Sequence, residues 1–312
     1  MHTSAAILRT MRPKQWTKNL LLFAALIFAK KIAEPASVLQ ALAAFVLFCA
    51  LSGAVYLIND VVDAEEDRRH PRKRQRPIAS GALSPRLAVA IAVALTVGGL
   101  VGCFQLNFGT GLSAAAYTVL TLAYHFALKR MVILDALAVS GGFVLRAVAG
   151  AEAIRVVISP WLLMCTLLLA LFLSFAKRRQ ELVLYQNNGA DATRRVLMEY
   201  TPALLDQLIS IVTACTVMSY CLYTISDRTV SEVGSRDLIL TIPFVLYGIF
   251  RYMYLVHSKG SGEAPDQVLL TDLPLLATVA LYVLAVVVVF HMAQGGLGGP
   301  ILPPEPALPP PS

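Results

Sequence analysis

Four oxygen-bearing side chains recur at helical spacing in Asn59-Asp60-Val61-Val62-Asp63-Ala64-Glu65-Glu66-Asp67. An apolar run, Ala41 to Ile58, precedes them and a basic run, Arg68 to Arg76, follows. On a helix, Asn59, Asp60, Asp63 and Asp67 fall within an arc of about 100°, with Val61 and Val62 turned away. Like charges gathered at the end of a membrane helix are costly unless neutralised. Hard oxygen ligands of this kind suit Mg²⁺, which keeps some of its waters and completes its shell with substrate phosphates. The pattern therefore predicts a Mg²⁺–phosphate site at a membrane surface, with Asn59, Asp60, Asp63 and Asp67 as ligands.

The basic residues that follow have two readings. In Arg68-Arg69-His70-Pro71-Arg72-Lys73-Arg74-Gln75-Arg76-Pro77, each residue before a proline avoids the helical region, so the chain is expected to turn back after the acidic stripe. Lys73, Arg74 and Arg76 then face the carboxylates and contact phosphate, Arg through bidentate bonds and Lys as a point charge. A solvated loop on anionic lipid heads is the competing account. The arm Arg12-Pro13-Lys14-Gln15-Trp16-Thr17-Lys18-Asn19 is open in the same way. It is an interfacial anchor through Trp16, or Lys14 and Lys18 hold a phosphate.

Further along, Tyr124, Lys129 and Asp135 flank another connection. Tyr124 and Lys129 are expected substrate contacts, unless Lys129 and Asp135 are only a flanking cation and a carboxylate favoured by the helix dipole. Arg146 sits in the middle of an apolar run beside Gly141 and Gly142. A buried arginine there must face the bundle or a wet cavity and needs a partner. It is either a substrate contact or half of a structural ion pair. In Ala176-Lys177-Arg178-Arg179-Gln180-Glu181-Leu182, Lys177 and Glu181 are one helical turn apart and are expected to pair. No second Asp-rich stripe exists anywhere, so Lys177, Arg178 and Glu181 suit a phosphate better than a second metal.

Positioning these residues falls to a membrane bundle. The chain has 312 residues, 57% hydrophobic and only 14% charged, against roughly 25% charged in soluble domains. About 20 apolar residues cross ~30 Å of hydrocarbon. Nine stretches qualify on that reading: 19–33, 38–58, 86–105, 109–128, 131–151, 160–176, 204–225, 237–257 and 273–293. The fold class expected is all-α, a polytopic membrane protein with nine transmembrane helices. It forms one domain over 1–294, with a disordered Gly/Pro-rich tail over 295–312. No cleavable leader is expected, because no small-residue cleavage site follows a short apolar core.

The net charge of +7 does not imply nucleic acid, because of where the charges lie. Lys and Arg crowd the N-terminal arm, the loop at 68–86, the connection at 129–130 and the segments at 177–179 and 194–195. The other side keeps only Lys30, Lys31, Arg155, Arg228 and Arg236. By the positive-inside rule the N-terminus and the acidic stripe face the cytoplasm and the C-terminus lies outside. Topology alone accounts for many of these cations, but not for acidic residues on the same side. The five cysteines lie inside predicted helices with no CxxC pair, and read as small apolar residues. No Ser-His-Asp or Cys-His arrangement is apparent. A transporter would use the acidic stripe as an ion pathway, but no pair of broken helices marks two matching halves.

The stripe Asn59-Asp60-x-x-Asp63-x-x-x-Asp67 with nine spans resembles the UbiA superfamily of intramembrane prenyltransferases. The fuller pattern through Arg68, His70-Pro71, Lys73, Arg76-Pro77-Ile78-Ala79 and Gly81 looks like its decaprenyl-phosphate phosphoribosyltransferase branch. So do Ala176-Lys177-Arg178-x-x-Glu181-Leu182 and the arm at 12–19. The resemblance covers about residues 7–290. It implies that phosphoribosyl diphosphate (PRPP) donates its 5-phosphoribosyl group to a polyprenyl (decaprenyl) phosphate and releases pyrophosphate. It also implies a Mg²⁺-dependent enzyme of the inner membrane acting at the cytoplasmic face, as part of cell wall biosynthesis. The alternative within the superfamily moves a prenyl group from prenyl diphosphate to an aromatic acceptor. The absent second Asp motif argues against that alternative.

Overall fold

A computed structural model describes residues 3–71, 73–188, 195–258, 271–293, 295 and 301. Most of the tail, Arg72, Arg194 and most of the 257–272 loop fall outside them. The described residues are helical, without strands, and the chain divides into two compact units, Met1–Ile158 and Ser159–Ser312.

The first unit opens with α1 (Thr3–Thr10), a 3₁₀ segment (Pro13–Phe23) and the short α2 (Ala24–Phe28). The long α3 (Pro35–Val62) follows, then α4 (Ala64–Arg69), α5 (Pro85–Leu106), α6 (Phe108–Phe126) and α7 (Leu134–Ala153). Local chemistry sets several starts. Pro35 and Pro85 occupy first-turn positions where a missing N–H costs nothing, and the Ser84 and Asn107 side chains accept from the N–H groups of Leu87 and Thr110. α3 packs on α5, α5 on α6 and α6 on α7, while the 3₁₀ segment lies against α3 and α7. Leu22, Phe48, Leu51, Tyr117 and Ala149 form the core where these elements meet.

Gly150 allows the closest approach to another stretch of backbone in this unit. A Cβ there would run into the main-chain carbonyl of Leu22, which cannot rotate away. Small residues serve this purpose throughout membrane bundles. Gly150→Ala is therefore expected to destabilise the protein by ~3 kcal/mol, as overpacking against backbone does. Thermal unfolding in detergent measures it, and an unchanged midpoint contradicts this packing.

The second unit holds α8 (Pro160–Asn188), α9 (Pro202–Ile225), α10 (Asp227–Val233), α11 (Ile242–Ser258) and α12 (Leu273–Ala293). α8 packs on α9 and α11 on α12. Tyr220 bridges to Thr241 at 2.6 Å and donates to Tyr282 at 3.3 Å. Arg251 grips Asp272 through two bonds of 3.1 and 2.9 Å, and Asp272 also caps α12.

Seven helices among the described residues are long and apolar enough to cross a membrane, not nine: Pro35–Val62, Pro85–Leu106, Leu134–Ala153, Pro160–Gln186, Pro202–Ile225, Asp237–His257 and Leu273–Ala293. The stretch 19–33 is not a helical span. It divides into the end of the 3₁₀ segment, the five-residue α2 and a turn with Lys30 in the left-handed region at φ 56°. The stretch 109–128 does form a helix, α6, but Thr110, Ser113, Thr118 and Thr121 dilute its hydropathy. Thr118 and Thr121 donate to the carbonyls of Ala114 and Tyr117 one turn back, which lets hydroxyls sit inside a bundle.

Candidate active site

The acidic stripe lies where α3 gives way to α4. The helix does not run through it unbroken: Asp63 is a turn residue with ψ near 2°. Helical hydrogen bonds nevertheless continue on both sides, from Asp63 N to Asn59 O at 2.9 Å and from Asp67 N to Asp63 O at 2.8 Å. The register therefore survives the bend. His70, extended before Pro71, ends α4 and sends the chain back. Ile78 and Leu83 are 1% exposed and pin the returning loop into a core with Ala6, Ala54, Leu57 and Ala88. Their anchorage fixes Arg76 beside the carboxylates.

The stripe separates into two groups. Asp60 and Asp67 are each 2% exposed. One nitrogen of Arg76, Nη1, serves both: it lies 2.6 Å from Asp67 Oδ2 and 3.3 Å from Asp60 Oδ1. Arg12 donates to the same Asp60 oxygen at 2.6 Å. Asp63 turns elsewhere, with its Oδ1 3.8 Å from Lys129 Nζ in the α6–α7 connection. The N-terminal arm, the loop after α4 and the connection before α7 therefore gather at one end of this unit, as the charge pattern predicts.

Arg12 is the residue that sequence reasoning missed. Its backbone is left-handed, at φ 53° and ψ 67°, which costs a side chain ~1 kcal/mol or more. Tertiary contacts hold it there: the Asp60 bond, the Tyr56 ring 4.8 Å beneath the guanidinium, and the buried far end of the 3₁₀ segment. The only sequence signal was an arginine directly before a proline. Lys14 and Lys18, expected to hold phosphate, are exposed on the same segment. Lys73 and Arg74 reach none of the three carboxylates among the described contacts, whereas Arg76 does.

Arg146 is 8% exposed and is not half of an ion pair among the described contacts. Its Nε donates to Asn19 Oδ1 at 2.7 Å, Nη1 to Gly142 O at 2.9 Å and Nη2 to Tyr117 Oη at 2.8 Å. The guanidinium also lies 4.5 Å from the Tyr117 ring centre. Neutral acceptors and an aromatic face satisfy a buried cation at lower desolvation cost than an unmatched charge would bear. Asn19, fully buried, further donates toward Cys49 Sγ and Ser52 Oγ, both at 3.3 Å. Asp135 is fully buried in the first turn of α7. Tyr124 stacks edge-on against His125.

A shallow crevice with room for about one water lies beside Asn59, lined by Val55, Ile58, Val62, Leu122, His125 and Phe126. Apart from Asn59 and His125 its walls are apolar. In the second unit, Glu181 pairs with Arg178 at 3.4 Å rather than with Lys177. The i,i+3 partner lies as close on a helix as the i,i+4 one. Asp206 is held by Arg179 and by His257, the latter at 3.2 Å.

The two carboxylates have the hard oxygens that suit Mg²⁺, and they would be free to take it once the guanidiniums turn to a phosphate. Among the described residues no three Asp, Glu, His or Cys groups converge on one point. Magnesium commonly takes one or two protein carboxylates, with water and substrate phosphate completing its octahedron. Asp60 and Asp67 could supply such a pair, and Asp63 and Asn59 lie within one turn of them.

The chain matches the model of the UbiA prenyltransferase family over residues 20–273. It is 36% identical over 292 residues to a decaprenyl-phosphate phosphoribosyltransferase of Corynebacterium glutamicum, covering 92% of this chain and 87% of that protein. A protein of the same name from Mycobacterium tuberculosis is 35% identical over 272 residues, 86% of this chain and 88% of its own. Among solved structures, a UbiA homolog from Archaeoglobus fulgidus bound to GPP and Mg²⁺ superposes with a TM-score of 0.69 at 19% identity, over 92% of this chain and 99% of that one. At that identity the likeness is one of fold.

Proposed function

The chain belongs to the UbiA prenyltransferase family, and from that premise we propose that it transfers the 5-phosphoribosyl group of PRPP to a polyprenyl phosphate, releasing pyrophosphate. The observation that carries this reading is the pair of buried carboxylates, Asp60 and Asp67, bridged by Arg76 at one end of a membrane bundle. The names of the curated relatives support the substrate pair. Asp60 and Asp67 would hold Mg²⁺, with Asp63 and Asn59 within one turn to assist through water, and Mg²⁺ there would neutralise charge that develops on departing pyrophosphate.

The chain's own residues do the rest. Arg76, with Lys73 and Arg74 on the same loop, binds the donor's phosphates. Lys129, loosely paired to Asp63, receives the acceptor phosphate. The acceptor phosphate is already an anion at neutral pH, so its oxygen attacks the anomeric carbon without a strong general base. Holding both substrates at the interface supplies much of the acceleration. Lys14, Lys18 and Tyr124 complete the expected phosphate contacts of the first unit; in the second, Lys177 and Arg178 suit a phosphate, with Glu181 paired to Arg178. Arg146 supports the site by securing Asn19. The chain through residue 294 works as one catalytic domain, with its N-terminus and site toward the cytoplasm in the inner membrane.

The test is incubation of purified protein with labelled PRPP and decaprenyl phosphate, against labelled prenyl diphosphate and 4-hydroxybenzoate. Label passing from PRPP into the lipid fraction, abolished by chelator, is the expected result. Label passing only from prenyl diphosphate to the aromatic acceptor overturns the proposal.

A further inference from the structure

We propose that Arg12 is a resident counter-cation of this site: it sits on Asp60 while the site is empty and transfers to the donor's diphosphate when a divalent cation and that diphosphate arrive together. The inference rests on the preceding reading of the donor as a diphosphate.

Charge balance is the argument. Asp60 and Asp67 contribute two negative charges in nearly complete burial, and Arg12 and Arg76 contribute two positive ones within 2.6 to 3.3 Å. A divalent cation entering this neutral cluster alone would meet guanidinium repulsion and carboxylate oxygens already bonded. Brought in with a diphosphate, it leaves the charge near balance and offers the displaced guanidinium a better anionic acceptor. Cation and diphosphate should therefore bind with positive coupling.

The fold gives Arg12 the freedom to move. The 3₁₀ segment is clamped at its far end, where fully buried Asn19 accepts from Arg146 and Leu22 packs beneath Gly150. At its near end the backbone is tied to α1 through Arg12 N and Arg9 O and Met11 packs in the core, so only the Arg12 side chain, on Asp60 and over the Tyr56 ring, is left to move. Releasing the Asp60 bond thus frees the guanidinium without detaching the segment. The side chain is also partly exposed, at 31%, against 2% for Asp60.

The experiment is an electron paramagnetic resonance titration of the full-length protein with Mn²⁺ as the probe, with and without inorganic pyrophosphate, paired with KM values for PRPP and lipid. Arg12→Ala is expected to bind Mn²⁺ alone about tenfold more tightly than wild type, to lose the enhancement by pyrophosphate, and to raise the KM for PRPP about tenfold with the lipid KM unmoved. Arg12→Lys, which keeps the charge, is expected to restore the weak binding of Mn²⁺ alone. Should the alanine variant not fold, Arg12→Gln takes its place. A merely structural arginine would weaken both ligands together on removal. Mn²⁺ affinity equal to or below wild type in the variant overturns the counter-cation role alone. Failure of wild type and variant alike to take up Mn²⁺ with pyrophosphate present overturns the proposed function, and this role with it.

Discussion

Asp60→Asn is expected to lower turnover about a thousandfold, some 4 kcal/mol of transition-state stabilisation, in a protein that keeps its helical fold. Asparagine matches aspartate in shape but carries no charge. Asp60 Oδ1 is the meeting point of two guanidiniums, so the change removes one carboxylate of the pair, leaves Arg12 without its charged partner and leaves Arg76 on Asp67 alone. The helix itself does not depend on the charge, because Asp60 lies in the last turn of α3, below an apolar helix buried through Leu57. Initial rates with labelled PRPP and far-ultraviolet circular dichroism check both halves. Asp63→Ala is expected to abolish turnover in the same way. A folded Asp60→Asn protein working within tenfold of wild type contradicts the assignment.

Arg76→Ala is expected to act on stability as well as activity. Its nitrogen is the only described contact joining Asp60 to Asp67, and both carboxylates are almost wholly buried. Without it two buried anions face each other with Arg12 alone to offset them. Breaking a buried pair costs several kcal/mol. The Arg76 side chain is 27% exposed, so solvent screening reduces the expected loss to about 2 kcal/mol. Mg²⁺ should then recover more stability in the variant than in wild type, because it binds the folded state at the vacated place. Thermal unfolding with and without Mg²⁺ measures this. A variant as stable as wild type, or indifferent to Mg²⁺, contradicts the bridging role. Turnover should fall about a hundredfold through loss of the phosphate contact.

The acidic stripe was legible because helical spacing leaves few choices: Asn59, Asp60, Asp63 and Asp67 must share a face if the register holds, and it does across the bend. That Asp63 would part from its neighbours and meet Lys129 was not legible, since nothing local encodes a turn at that residue. Arg76 could be placed because two prolines force the loop back. Arg12 could not, because its reach to Asp60 spans 48 positions and depends on a left-handed backbone that sequence rules assign to glycine. The reading of nine spans fails at 19–33, whereas 109–128 does form the expected helix, less apolar than the other seven. Hydropathy reads 19–33 as a helix because it sees apolar residues, not the tight 3₁₀ winding that the approach of Leu22 to Gly150 imposes. It passes over the hydroxyls of α6 that the helix's own carbonyls satisfy. Arg146 read as needing an anion because neutral acceptors from α6, α7 and the 3₁₀ segment converge on it only in the folded bundle.

The most direct test of the central claim is a crystal structure grown with Mn²⁺ and pyrophosphate, read by anomalous scattering at the manganese edge. The account predicts one strong peak between the Asp60 and Asp67 carboxylates, about 2.2 Å from each, with Arg76 on the pyrophosphate. A peak elsewhere in the protein, or none while Asp60 and Asp67 keep their arginines, would contradict it.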